Sequence, residues 1–424
     1  MKERDRKSKL ELESGAAGAI VCLICAITFA AVLPGVANAQ TYSVLYTFMG
    51  NSDGAFPDIT PILDSAGNLY GASAENSSLN CKGSCSNIFK IDPSGNETTL
   101  FTSKNGSTTG YGVSSLALDK SGMLYATMEF GGPGAYGYVF KLNKKGKRAV
   151  LHNFPVNSQD GQAPANLILD AKGNMYGLTI QGGGTGCNGF GCGTVFELTK
   201  KRQETIVDFS SAAYVPDSLV RDASGNFYGT TYQGGSQRCG GGCGTVFKID
   251  TSGTVTVLYA FQGAPDGSLP EGDIAIGSAG NLYGATWEGG NSSACTPSGC
   301  GTVYKLDPSG KETVLHKFSV SDGMLPEGGV VLDSAGNLYG TTFAGGTSPS
   351  CRGSGCGTVY KIDTNGKQTV LYSFSSGSDG GFPAGGLVFD SAGNLYGTAL
   401  YGGFSGGNGL CFPSGCGTVF KLTP

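Results

Sequence analysis

Carboxylates come first among the side chains of this sequence that could do chemistry. The pattern Asp-Gly-x-x-Pro occurs five times, from Asp53 to Pro57, Asp160 to Pro164, Asp266 to Pro270, Asp322 to Pro326 and Asp379 to Pro383. Such repetition reads as a rigid turn in which Asp caps backbone amides. Directly after a Pro stand Asp58, Asp217, Glu271 and Glu327. A partial ring of carboxylates can hold Ca²⁺ or a polar ligand through oxygen, and paired carboxylates are the tools of glycoside hydrolysis; an ordinary solvated rim is the plainer reading. A second set, Tyr232, Trp287 and Phe343, occupies one recurring position that holds Ala74, Glu129, Ile180 and Leu400 elsewhere. Such rings can stack on sugars or simply pack the protein. The chain has two His, and both His152 and His316 replace the Tyr of a recurring motif seen at Tyr46, Tyr259 and Tyr372. That leaves no His base for a Ser or Cys nucleophile. The Gly182–Gly186 run lacks the Gly-Lys-Ser/Thr that would make it a phosphate loop.

Twelve of the 14 Cys form six close pairs: Cys81 and Cys85, Cys187 and Cys192, Cys239 and Cys243, Cys295 and Cys300, Cys351 and Cys356, Cys411 and Cys416. An even count in an exported chain argues for local disulfides. Zinc would need two pairs to meet without a loop His, and the Cys-x-x-Cys spacing of thiol redox sites does not occur among these twelve. Closing so small a ring is worth only about 2 kcal/mol, so each bridge is expected to shape its own loop more than the whole fold.

The elements that position these residues repeat. Gly-Asn-Leu-Tyr-Gly or a variant places a Tyr at 70, 125, 176, 228, 283, 339 and 396, and Gly-Thr-Val-Phe or a variant follows each time. Each unit of about 55 residues reads as four short strands, a to d, separated by turns; in the last unit a is Gly386–Phe389, b is Asn394–Thr398 and c is Gly417–Leu422, while Thr369–Phe374 is a strand d. Alternating apolar and polar residues and Asp-x-x-Gly turns mark half-buried strands. Four strands per unit without a helical period is a propeller blade. The fold is therefore expected to be all-β: a seven-bladed β-propeller over 40–424. Tyr42–Phe48 matches a strand d and the chain ends on a strand c, so the N-terminal strand should close the last blade. The b-to-c and d-to-a loops are long and share one face, which is the expected functional face.

Gly and Pro, 73 and 17 residues, are far above their usual share and exclude a helical bundle. With 28 Lys+Arg against 32 Asp+Glu and a net charge of -4, nucleic acid is not an expected partner. Residues 1–39 read as a signal peptide: a charged stretch, an apolar run from Ala16 to Leu33, and Ala37-Asn38-Ala39 before a cleavage site at Gln40. An uncleaved anchor is the alternative. Nothing later is apolar enough to span a membrane, so the product is expected to be a secreted or periplasmic, soluble monomer.

The combination of Asp-Ser-Ala-Gly-Asn-Leu-Tyr-Gly-Thr, a Gly-Gly loop with paired Cys and Gly-Thr-Val-Phe-Lys-Leu resembles the GloVer tandem-repeat family of bacterial exported proteins, over Tyr42 to Pro424 and most clearly from Gly280 to Leu422. The resemblance implies an extracytoplasmic β-propeller. It supplies no catalytic residue, and the C-terminal surface anchor it often brings is not seen after Leu422. The leading expectation is a binding module for a glycan or an exported protein, without a resident cofactor. A Ca²⁺-assisted hydrolase or lyase on polysaccharide or lactone, using the four post-Pro carboxylates, and a purely structural surface protein are the alternatives.

Overall fold

The computed structural model describes residues 40–424 except 51, 74–84, 104–109, 156–158, 185, 200–202, 211, 291–294, 296, 352, 404–410 and 412–413. The expectations placed on residues 1–39, on Ala74 and on Cys81 lie outside the described residues.

The repeated motifs form strands whose side chains answer one another. Strand b carries Leu-Tyr-Gly and strand c carries Thr-Val-Phe, and antiparallel pairing sets the Gly opposite the aromatic ring, as at Gly71 and Phe89 or Gly397 and Phe420. A Cβ at this Gly would overlap that ring, so the smallest residue makes room for one of the largest. The a-to-b turn is built by its Asp: Asp64 Oδ1 accepts the Ala66 and Asn68 amides, while Oδ2 accepts Asn68 Nδ2 and the Tyr70 hydroxyl. The same Tyr-to-Asp bond recurs at Tyr125, Tyr176, Tyr228, Tyr339 and Tyr396. The motif Tyr therefore ties its strand to its own turn.

Seven antiparallel sheets result, arranged as seven blades of four strands. The sixth is typical, with Val330–Leu332, Leu338–Thr342, Thr358–Ile362 and Gln368–Ser373 in order from the axis outward. In the sheet of Val388–Phe389, Leu395–Ala399 and Thr418–Thr423, the outer strand is Thr41–Thr47, paired from Thr41 opposite Thr423 to Thr47 opposite Thr418. Among the described residues no helix is long and apolar enough to cross a membrane.

Blades adhere through aromatic edges. The Phe just past strand d meets the ring that ends Thr-Val-Phe/Tyr in the next blade. Examples are Phe209 with Phe247 at 4.9 Å, Phe318 with Tyr360 at 5.0 Å and Phe48 with Phe89 at 5.1 Å between centroids, all near T-shaped. Such pairs contribute about 0.5–1.5 kcal/mol each beyond their buried area.

A second interblade joint explains the Cys and Pro motifs together. Five disulfides, Cys187–Cys192, Cys239–Cys243, Cys295–Cys300, Cys351–Cys356 and Cys411–Cys416, are formed within the described residues, and Cys85 is also disulfide-bonded. The carbonyl of each second Cys in those five bridges accepts the amide that precedes Pro in the following blade: Val215 to Cys192 at 3.3 Å, Leu269 to Cys243 at 2.8 Å, Leu325 to Cys300 at 2.9 Å, Phe382 to Cys356 at 2.7 Å and Phe56 to Cys416 at 2.8 Å. To reach it, these donors adopt φ of 55° or 56°, a left-handed conformation that costs a non-Gly residue about 1–3 kcal/mol. The Pro ring then lies on the Gly after the Cys, as Pro326 does on Gly301, where a Cβ would stand 2.5 Å from Pro326 Cδ. The bridges thus reach beyond their own loops, because each fixes the acceptor for its neighbour. One joint differs. Ser86 follows Cys85 where the others have Gly, the facing Pro is replaced by Val113, and Ser86 Oγ accepts the Gly112 amide at 2.9 Å.

Candidate functional site

Each Pro delivers its next residue to the head of the innermost strand, where the seven blades converge on the axis. Asp58, Asp217, Glu271 and Glu327 line one cavity of about 390 Å³ to which all seven blades contribute. Asp217 sits on a bulge: the pairing of Ala213–Arg221 with Phe227–Gly234 slips between Pro216 and Ser218, and a bulge re-aims the residue it leaves unpaired. Glu271 lies in the break between Gly267–Pro270 and Ala275–Ile276, and Glu327 and Asp58 precede inner strands of only 3 and 2 residues.

A fifth carboxylate joins them. Asp273 accepts a bond from Thr60 Oγ1 at 3.0 Å, and the same Thr60 oxygen accepts the Gly386 amide at 3.0 Å, so blades one, five and seven are tied together at the axis. Neither residue was singled out from the sequence. The available signal was the alignment of Pro270-Glu271-Gly272-Asp273 with Pro326-Glu327-Gly328-Gly329 and Pro383-Ala384-Gly385-Gly386, in which Asp273 alone breaks a Gly-Gly pair.

Crowding keeps these acids from ionising as free ones do. Burial pushes Glu271 up to about 9, with Asp217 and Glu327 adding to it. Burial also raises Asp217 to about 7, helped by Asp273 and Glu327, and Glu327 to about 7, helped by Asp58. Asp273 is raised by burial. Asp58 is raised to about 7 by its surroundings and then by Glu129; its side chain is open to channel solvent, which tempers the effect. One oxygen each of Asp217 and Glu271 is buried without a hydrogen-bond partner, as is the indole N–H of Trp287. Among the described residues no group of three or more His, Cys, Asp or Glu is placed to hold a metal ion.

The three aromatic residues singled out from the sequence do not line this cavity. Tyr232 and Trp287 are half-buried, 6.5 Å apart between centroids and tilted by 48°. Burial, then Glu271, Glu288, Asp217 and Glu327, push the Tyr232 hydroxyl up to about 12, which puts the phenol within the field of the carboxylates. Phe343 instead meets Phe382 at 5.3 Å, and the chain of rings continues to Tyr401 and Phe56 at 5.6 Å each. It packs blades six, seven and one. The Asp-Gly carboxylates act as turn formers: Asp53 accepts Tyr46 OH and the Met49 amide, and Asp379 accepts Tyr372 OH and the Ser375 amide. His316 takes the Tyr role, with Nε2 3.0 Å from Asp322 Oδ2, so it serves the blade.

The family model described as the Gloeobacter/Verrucomicrobia repeat matches residues 33–189, 80–297 and 292–424. The chain belongs to this family, the GloVer repeats. No curated protein matches this repeat protein. Its solved structural relatives include the extracellular domain assigned to a hybrid two-component system of B. thetaiotaomicron, at 14% identity and a TM-score of 0.53 over 91% of the GloVer chain and 41% of the other. The extracellular domain assigned to a one-component system of the same organism matches at 11% identity and a TM-score of 0.53, over 91% and 40%. The GloVer chain thus spans about two fifths of the length of these relatives, and at such identity the likeness is one of propeller fold.

Proposed function

We propose that this chain is an extracytoplasmic binding module that takes a glycan, or a glycan-bearing exported protein, at the channel mouth on its long-loop face. The observation that carries the reading is the gathering of Asp217, Glu271 and Glu327 at one cavity, with Tyr232 within their electrostatic reach and paired with Trp287. Unpartnered carboxylate oxygens accept hydroxyls, an unpartnered indole N–H donates to them, and the ring faces suit the apolar side of a sugar. The disulfides fit an oxidising compartment, and the description of two solved relatives as extracellular domains agrees with that placement.

Thermal melting of the oxidised protein against a panel of neutral polysaccharides tests this, because a ligand of the native state raises the melting temperature. At least one glycan should raise it, and Tyr232→Ala/Trp287→Ala should abolish the rise. No response to any polysaccharide or exported-protein fraction would sink the proposal. A Ca²⁺-dependent rise lost in Glu271→Gln and Glu327→Gln would move the reading to a metal-assisted enzyme.

A further inference from the structure

The opposite face, that of the tight turns, carries a second concavity of about 620 Å³ between the first and second blades. Its floor is apolar, with Leu63, Leu100, Leu118 and Leu142, and its rim carries Lys90, Lys120 and Lys144. The c-to-d turn of the second blade forms one wall and departs from its counterparts. Those of blades one, four, five and six begin with an Asp, at Asp92, Asp250, Asp307 and Asp363, whereas this one reads Asn143-Lys144-Lys145-Gly146-Lys147-Arg148. The Asn keeps the turn, since its Oδ1 accepts the Lys145 and Lys147 amides at 2.9 and 3.0 Å. What changes is charge: an anion is gone, and the turn carries four cations where its counterparts carry none or one, at Lys311 and Lys367.

This basic turn is held in place. A Cβ at Gly146 would overlap the Leu100 carbonyl oxygen, so the turn lies directly on the outer strand of the first blade, and the Lys144 chain runs beside Gly122, with Cε at 3.4 Å from a Cβ built there. Arg148 is committed to packing, bonded to the Tyr138 hydroxyl at 2.7 Å and stacked over Phe101 and Tyr138. Among the described residues Lys90, Lys120, Lys144, Lys145 and Lys147 form no ion pair. Asp64 and Asp119 also face the groove, but their oxygens already accept turn amides, side chains and the Tyr70 and Tyr125 hydroxyls.

We infer that this turn-face groove is a binding site for an anionic polysaccharide, its carboxylate or sulfate groups held by Lys120, Lys144 and Lys145 and its sugar rings laid along the leucine floor. The ligand class follows from charge complementarity on a shaped, partly apolar surface. The rim residues Ser65, Ala66, Ser121, Gly122 and Asn143 offer no large apolar side chain to insert into a bilayer, which favours a soluble polymer over a lipid surface. The site is independent of the channel proposed above.

The test titrates the purified, oxidised full chain with polygalacturonate, dextran sulfate and neutral dextran at low and moderate salt. Binding is expected to at least one polyanion and not to dextran, weakening with salt as surface charge is screened. Lys120→Glu/Lys144→Glu/Lys145→Glu should lose about tenfold or more in affinity with an unchanged melting temperature, since these side chains are exposed. Reversing Lys311 and Lys367, exposed residues of the corresponding turns in blades five and six, should leave affinity unchanged. The inference is overturned if neither polyanion binds, if the control reversal costs as much as the triple one, or if vesicles of anionic phospholipid bind through these lysines while both polysaccharides do not. Retention of channel-dependent glycan binding by the triple variant is expected and separates the two sites.

Discussion

Blades two to four and blades five to one build the axis in two ways. The inner strands of the former run unbroken for 8, 8 and 9 residues, each with one bulge near its head. Those of the latter are broken or reduced to 2 or 3 residues. There the backbone leaves its sheet after Pro and packs against its neighbours. Asp273 bridges Gly329, Val330 N donates to Asp273 O at 3.0 Å, and Gly385 and Gly386 pack on Ile59, Gly328 and Thr60. Four of the five channel carboxylates, Asp58, Glu271, Asp273 and Glu327, sit on this interrupted side. A strand that gives up its ladder can carry its side chains inward, and the lost hydrogen bonds are replaced across blades. The continuous side supplies a stiff wall.

Breaking the interrupted side should cost most. A Cβ at Gly272, whose φ is 76°, would overlap the Glu327 carbonyl and the Gly329 amide, so Gly272→Ala combines backbone strain with a backbone clash. We expect a loss of about 3 kcal/mol or more, read as a large drop in melting temperature and a loss of channel binding. Ser86→Gly, at the one joint without a Pro, should lose only its bond to Gly112, about 1 kcal/mol. If both variants melt alike, the convergent glycines do not have the role described here.

The next effect concerns the joints. Cys295→Ser/Cys300→Ser should destabilise by about 2 kcal/mol from the ring alone, and the loosened Cys300 carbonyl should also free Leu325 to relax from its left-handed φ. Hydrogen exchange at the Leu325 amide checks this. Accelerated exchange there, one blade away from the deleted bridge, is expected; exchange confined to the 295–300 loop would make the bridge purely local.

These joints also explain how far the sequence was legible. The strands could be read because the partners of each motif residue recur within the repeat: Tyr with the turn Asp, Gly with the facing Phe. The post-Pro acids stood out because they vary at a fixed position. Asp273 and Thr60 did not, since their bond joins distant blades, and the Pro-x-Gly-Gly context reads as a turn. Phe343 shares a register with Tyr232 and Trp287, and its neighbours Phe382 and Tyr401 come from the next blade, just as Tyr232 meets Trp287 across blades, so register alone could not say which rings do more than pack. The basic turn was hidden by a net negative chain whose charge says nothing of where lysines gather.

The smallest effect expected is one of pH. Glu271 is raised from its ordinary value to about 9, so between about pH 4.5 and 9 the folded chain holds a proton that the unfolded chain releases. Stability from this group is complete below about pH 4.5 and is lost as pH rises through that window. Asp217 and Glu327, raised to about 7, add to the decline over its lower part. Melting temperature should therefore fall from pH 5 to pH 9, and Glu271→Gln should flatten the fall. At pH 8 the variant should melt above the parent, and at pH 4 it should match it. Ala384, the corresponding position in blade seven, offers the converse: Ala384→Glu should steepen the fall by adding a further acid to the same side. An Ala384→Glu variant with an unaltered pH profile would mean that the carboxylates on the interrupted side do not share one field.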